Sequence, residues 1–309
     1  MKNTSNTFQS PYPILEACMN KGSTLELALA VHHAGGYPSL CSWTYNGKPE
    51  LLQRDLDRFV TETGSNRIHV SFELDEYKSD TVYQIVRSHA IPTIEIIYGD
   101  KNTFRPTQTE AELTDKVIEL LTPIKALGTR VFKRIYEPVS QATMDLHLLD
   151  GFCIKGAESA GFTSYTPVRE VFVRQRELTP KAMLIPYGGV GSAKQVREYM
   201  DMGAEIVAVG TVLALSVESP MSTETKLAAI QSKSTDLTQF THTVGNVERK
   251  QTTLQFEPYT GPDDANGTMG LLRGLRGRGT GHVYMGHAVD HVTELRTCKE
   301  IIQDLMSNL

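Results

Sequence analysis

From Pro13 to Leu215 the chain alternates short β-rich runs with longer stretches whose apolar residues recur at helical spacing. This is the signature of repeated βα units around a parallel sheet. The runs predict strands at Ile14–Cys18, Pro38–Cys41, Ile68–Phe72, Thr93–Tyr98, Arg130–Ile135, Gly151–Lys155, Ala182–Tyr187 and Glu205–Val209. Helices are expected between them, among others at Leu25–His33, Glu50–Thr63, Glu110–Leu127 and Ala193–Met202. Eight such strands close a barrel, so the expected fold class is α/β, a (β/α)8 TIM barrel. After Glu218 the alternation stops. A polar stretch rich in Ser, Thr, Gln and Gly runs to about Met285, and a last helix is expected over Glu294–Leu309. The reading is a barrel of residues 1–218 and 286–309, with 219–285 a lid-like insertion between the eighth strand and the closing helix. Such excursions lie at the loop-bearing face where barrels carry their active sites.

Composition narrows the function classes. At 309 residues, 40% hydrophobic and 22% charged, the chain is an ordinary globular protein of a size that one barrel accommodates. A net charge of -5 argues against a general nucleic-acid binder. The start, Met1 to Pro11, is polar, and the longest apolar stretch, Ile206–Leu215, is too short to span a bilayer. A cytoplasmic protein with no membrane partner is expected. Cys18, Cys41, Cys153 and Cys298 show no CxxC spacing, so neither a disulfide framework nor a thiolate zinc site is suggested. His287 and His291 stand four apart with Asp290 between them, and His282 is nearby. No catalytic glutamate follows the zinc-protease pattern, and no metal is assigned.

The most informative segment is Ala182 to Glu218. One strand ends in Gly188-Gly189-Val190-Gly191-Ser192 and opens a helix; the next ends in Gly210-Thr211. Glycine at such turns lets backbone N–H groups approach an anion closely. Two of them after consecutive late strands fit the phosphate site that barrels form after strands seven and eight. A dinucleotide fingerprint would need a further glycine where Lys194 stands.

Here the motifs resemble the nitronate monooxygenase (2-nitropropane dioxygenase) family and the related flavin-dependent enoyl-carrier-protein reductases. Pro13 to Leu40 is similar to the family's opening strand, its alanine-proline-methionine turn and its alanine-glycine-glycine bend, with Cys18 in the proline position. Asp150 to Ser164 is similar to the sixth strand and its glycine-rich loop. The stretch from Tyr284 resembles the closing turn and helix, with His287 where glutamine is usual. The resemblance implies bound FMN, with NADH or NADPH as the candidate reductant. It assigns Ala17, Cys18, Met19, Ser71, Lys155, Gly156, Ala160, Gly161, Gly188, Gly189, Val190, Gly210 and Thr211 to the cofactor.

One departure bears on the chemistry. Phe162 occupies the position of the family's active-site histidine, and a phenyl ring can neither carry a proton nor hydrogen-bond a nitronate. Tyr187, Glu16, Ser71 and Tyr165, near the ends of barrel strands, are the remaining candidates for acid or base. The expected function is therefore an FMN-dependent oxidoreductase that moves a hydride to or from a small or carrier-bound organic substrate. Nitronate oxidation with oxygen and a flavin-binding protein without catalysis are the alternatives. Arg273, Arg276 and Arg278 form a candidate docking patch for an anionic partner. Homodimer formation is left open.

Overall fold

The computed structural model of the protein describes residues 8–74, 77–97, 110–139, 148–244, 247–256, 268–277 and 280–307. All eight expected strands are present: β1 (Ile14–Glu16), β2 (Ser39–Cys41), β3 (His69–Glu73), β4 (Thr93–Ile97), β5 (Arg130–Ile135), β6 (Gly151–Lys155), β8 (Met183–Tyr187) and β9 (Val207–Val209). They form one parallel sheet in the order β1-β9-β8-β6-β5-β4-β3-β2. A parallel bridge between Leu15 and Tyr37 joins the two ends, with Tyr37 N–H donating to the Ile14 carbonyl at 2.7 Å and Glu16 N–H to the Tyr37 carbonyl at 2.9 Å. The barrel is thereby closed. Tyr98, the expected end of the fourth strand, lies outside the described residues.

Because helices cover the outside of a barrel, its strands are buried on both faces, and β3 and β4 are buried at every position. Val70, Phe72, Ile94 and Ile96 face the helical layer, while Phe132, Cys153, Ile185 and Tyr187 belong to the barrel interior. Phe8, 1% exposed, adds to that interior by stacking on Phe132 and meeting Tyr37 edge-on.

Among the helices around the barrel are α2 (Pro49–Thr63), α3 (Ser79–Ser88), α4 (Glu110–Ala126), α5 (Val168–Leu178) and α7 (Thr211–Ala214), and local signals fix the ends of others. Thr24 and Ser192 cap α1 (Leu25–His33) and α6 (Ala193–Asp201), each accepting a backbone N–H from the first turn. The closing helix α10 is Cys298–Leu305, shorter than the expected Glu294–Leu309. Thr297 and Glu300 form a capping box that satisfies the first-turn N–H groups and starts the helix there; Met306 is its C-cap.

The polar stretch after Glu218 is folded where it is described. It contains α8 (Thr223–Ile230), β10 (Thr238–Val244), β11 (Val247–Gln255), α9 (Thr268–Leu275) and β12 (His282–Tyr284). β11 pairs antiparallel with β10, with β12 and with β7 (Gly161–Thr163), a short strand in the loop after β6. A second, antiparallel sheet thus joins the insertion to the barrel's sixth βα loop. The sequence reading placed no element at any of these four strands. The reason is chemical: β11 carries Gln and Thr at alternate positions, so no apolar run announces it.

Candidate active site

A cavity of about 930 Å³ lies at the C-terminal ends of the barrel strands. The turn after β1 supplies Ala17, Cys18 and Met19 to its wall, and the end of β5 supplies Arg134 and Tyr136. Lys155 closes β6, Tyr187 closes β8, and Gly188, Gly189, Val190, Gly210 and Thr211 come from the two glycine turns. The small sheet forms the opposite wall with Phe162, Phe240, Gln251, Thr253, Gln255, His282 and Tyr284. Leu271, Leu272 and Leu275 of α9 join them.

The two glycine turns differ in backbone conformation: Gly210 has φ -110°, which any residue can adopt. Gly188 and Gly189 adopt φ of 119° and 74°, which L side chains rarely adopt. Ser159 lies directly under Gly188 and donates its hydroxyl to the Tyr187 carbonyl at 2.7 Å. The N–H of Gly191 is taken by Gln195 Oε1 at 2.9 Å. Among the described residues no protein acceptor takes the N–H groups of Gly188, Gly189, Val190 or Gly210. A row of amides with no acceptor at a cavity wall is a place for an anion. On the adjoining strands, a Cβ added at Gly210 would come 3.4 Å from the Ala17 Cβ and 3.8 Å from the Met19 sulfur. These three residues therefore make a low apolar strip.

Beneath the cavity the barrel interior also holds polar side chains among its apolar ones. Arg134 donates Nε to Glu95 Oε1 at 2.8 Å and Nη2 to Glu95 Oε2 at 2.7 Å, with both side chains almost fully buried. The guanidinium also lies 5.8 Å from the Tyr187 ring centroid. His69 shares a 3.1 Å hydrogen bond with Thr93, whose hydroxyl donates to Tyr37. Burial lowers the His69 pKa to about 4, so the imidazole is neutral at physiological pH. Ligand atoms of Cys18, His69 and Glu95 lie within 4.8 Å of one another. Arg134 already takes both Glu95 oxygens, and burial raises the Cys18 pKa and keeps its thiol protonated, so the trio is a weak donor set for a cation. Tyr187 is buried with the Cys153 thiol beside its hydroxyl, and burial raises its pKa.

Of the assigned residues, Ala17, Cys18, Met19, Lys155, Ala160, Gly161, Phe162, Tyr187, Gly188, Gly189, Val190, Gly210 and Thr211 meet in the cavity wall. Four candidates stand apart from it. Glu16 is fully buried, accepting the Ser39 N–H at 3.0 Å, because strand alternation turns it away from its interior-facing neighbour Leu15. Its carboxyl is pushed up to about 8 by burial. Ser71 is buried in the middle of β3 without reaching the wall. Gly156 serves packing: a Cβ there would lie 2.2 Å from the Val168 nitrogen. Tyr165 is 57% exposed and bonds Thr241 instead.

The three histidines are split. His282 lines the main cavity, whereas His287 and His291 border a smaller one of about 240 Å³ behind the glycine turn. Asp290 accepts the N–H and hydroxyl of Ser234. Arg273 donates to Thr280 at 2.6 Å, Arg276 is exposed, and Arg278 lies outside the described residues. Sequence reasoning missed Arg134 and Glu95, and a signal existed: each is a charge inside a strand expected to be buried.

No protein-family model matches the chain, and no curated protein matches its sequence. Solved structures do match its fold. FabK from Thermotoga maritima aligns with a TM-score of 0.76 at 19% identity, over 97% of this chain and 93% of that one. A nitroalkane oxidase from Streptomyces ansochromogenes aligns at 0.73 and 16% identity, over 98% and 96%. The enoyl reductase domain of MlnA, from the macrolactin biosynthesis cluster of Bacillus amyloliquefaciens, aligns at 0.68 and 12%, over 97% and 94%. Among the described residues no helix is long and apolar enough to cross a membrane. Over nearly its whole length the chain shares the (β/α)8-barrel fold of FabK, the nitroalkane oxidase and the MlnA enoyl reductase domain.

Proposed function

We propose that the protein is an FMN-dependent oxidoreductase that moves a hydride between flavin and a small or carrier-bound organic substrate, by ene reduction or dehydrogenation next to a carbonyl. The observation that carries the reading is the row of amides without acceptors at Gly188–Val190 and Gly210, set in the wall of a large cavity at the catalytic face of the barrel. At about 930 Å³ the cavity is at the upper end of the range of roughly 300–1,000 Å³ for small-molecule sites, which suits a cofactor and a substrate together. The folds it shares include a nitroalkane oxidase and an enoyl reductase domain, both redox enzymes by name.

The residues present fit the cofactor. The glycine amides would hold the phosphate, and the strip of Ala17, Met19 and Gly210 would lie flat against the ring. Asn20 Oδ1, buried and without a partner among the described residues, and the Tyr187 hydroxyl, whose neighbour is the weakly hydrogen-bonding Cys153 thiol, are an acceptor and a donor that a polar ring edge would satisfy. When bound, flavin supplies two-electron hydride chemistry. The chain's own part is to hold and orient. Glu95 neutralises and orients the Arg134 guanidinium at the cavity wall, and the leucines of α9 with Phe162 and Phe240 exclude water from the site. NADH or NADPH would serve as reductant. Titration of apoprotein with FMN and with riboflavin tests the assignment, because only FMN engages the amide row. Tight FMN and weak riboflavin binding are expected; equal affinity for the two would overturn the phosphate assignment.

A further inference from the structure

With phenylalanine at position 162, a different group must face the oxygen on which charge develops. Phe162 lies on β7 opposite Gln251 of β11, and Tyr284 of β12 lies opposite Thr253. Strand alternation puts Phe162, Gln251, Thr253 and Tyr284 on the face that lines the cavity. The Tyr284 ring stands over the residue next to Phe162: a Cβ at Gly161 would be 3.6 Å from it. Gln251 Nε2 donates to the Tyr284 oxygen at 3.1 Å. Among the described residues the Tyr284 hydroxyl has this one hydrogen bond, in which it accepts. A phenol whose oxygen already accepts an amide N–H aims its remaining O–H elsewhere, and here the open side is the cavity.

We propose that Tyr284, supported by Gln251, donates the hydrogen bond to the carbonyl oxygen of an α,β-unsaturated substrate, doing from the small sheet what Phe162 cannot do from its loop. The proposal rests on the flavin oxidoreductase reading above. In ene reduction the β-carbon gains a hydride from the reduced flavin, the C=C electron pair moves through the conjugated system onto the carbonyl oxygen, and a solvent proton completes the α-carbon. The Tyr284 O–H meets the charge that builds on that oxygen. Burial raises the Tyr284 pKa, with Gln251 opposing, so the hydroxyl keeps its proton at neutral pH. Leu271, Leu275 and Met221, on the same cavity, provide the apolar surface for the substrate's chain.

The test uses flavin-loaded protein reduced anaerobically with dithionite and mixed with trans-2-octenoyl-N-acetylcysteamine, with flavin reoxidation followed by absorbance. Removing a donor of this kind costs roughly 10²–10³-fold in rate. Tyr284→Phe should lose about that factor at saturating acceptor and unchanged flavin content, so the loss falls on kcat and little on KM. Adding Phe162→His to Tyr284→Phe should restore at least about tenfold, since general acid–base assistance is worth roughly 10²–10⁴. As a readout without turnover, flavin-free Tyr284→Phe should bind the saturated octanoyl thioester several-fold more weakly by calorimetry. Wild-type reoxidation rates in Tyr284→Phe at matched flavin content would overturn the proposal. So would a flavin-loaded wild type that the enoyl thioester does not reoxidise. A wild type that takes up no flavin would instead overturn the reading beneath it.

Discussion

Gly189→Ala adds one methyl group to the proposed phosphate cradle, and the structure sets the size of its effect. Gly189 sits at φ 74°, and a left-handed conformation costs an L-residue roughly 1–2 kcal/mol. The new Cβ would lie 2.9 Å from the Glu158 Cβ. Glu158 cannot yield freely, because its Oε2 accepts the Val168 N–H at the start of a helix, 2.9 Å away. Losing that bond costs about another 1 kcal/mol. The variant relieves both costs by turning the amide row, so FMN affinity should fall by the part the cofactor must reverse. At 1.4 kcal/mol per tenfold that is roughly ten- to a hundredfold. Quenching of flavin fluorescence on titration of apoprotein measures it. Gly64→Ala is the control: φ is 65°, nothing lies within 4 Å, and the residue is remote from the cavity wall. It should lower stability by the strain alone and leave the FMN affinity intact. Equal FMN binding by wild type and Gly189→Ala would refute the argument that these amides hold the phosphate.

Three further outcomes follow from the same geometry. Phe162→His should raise oxygen uptake with propionate 3-nitronate by a factor of roughly 10²–10⁴ over a slow wild type at matched flavin content; a wild type already as fast as a competent monooxygenase would contradict the argument from the missing histidine. Glu95→Gln leaves Arg134 buried without a charged partner and should cost roughly 3–5 kcal/mol in urea denaturation; replacing both residues by apolar ones should cost much less. Glu16 titrates near 8 in the folded protein, against about 4.5 normally, so the folded state binds the extra proton between those values. Its contribution is complete below about 4.5 and is lost as pH rises through about 8, so Glu16→Gln should stabilise the protein more at pH 9 than at pH 5. Chemical denaturation at the two pH values checks this, and equal shifts would count against it.

The barrel was legible because burial on two faces leaves a plain sequence record. Runs such as Thr93–Ile97 and Met183–Tyr187 are apolar enough to be counted, and the glycines at 188 and 189 mark a conformation that other residues resist. The small sheet was not legible, since Gln251, Thr253 and Gln255 face a cavity and not a core, and β7 is only three residues long. The Arg134–Glu95 pair joins residues 39 apart, a distance at which one sequence shows two isolated charges. Glu16 was misplaced by one step of alternation, which a strand boundary uncertain by a residue cannot settle. The glycine turns could thus be read from local backbone demand, whereas the cavity's opposite wall depends on strands that meet only after folding.

Whether this barrel holds FMN is decided by the identity of what the protein carries. Protein purified from a bacterial host and then denatured should release a yellow compound that chromatographs as FMN, near one per chain. Release of FAD would contradict the phosphate assignment at Gly188–Val190 and Gly210. A colourless protein that takes up no flavin on reconstitution would contradict the account as a whole.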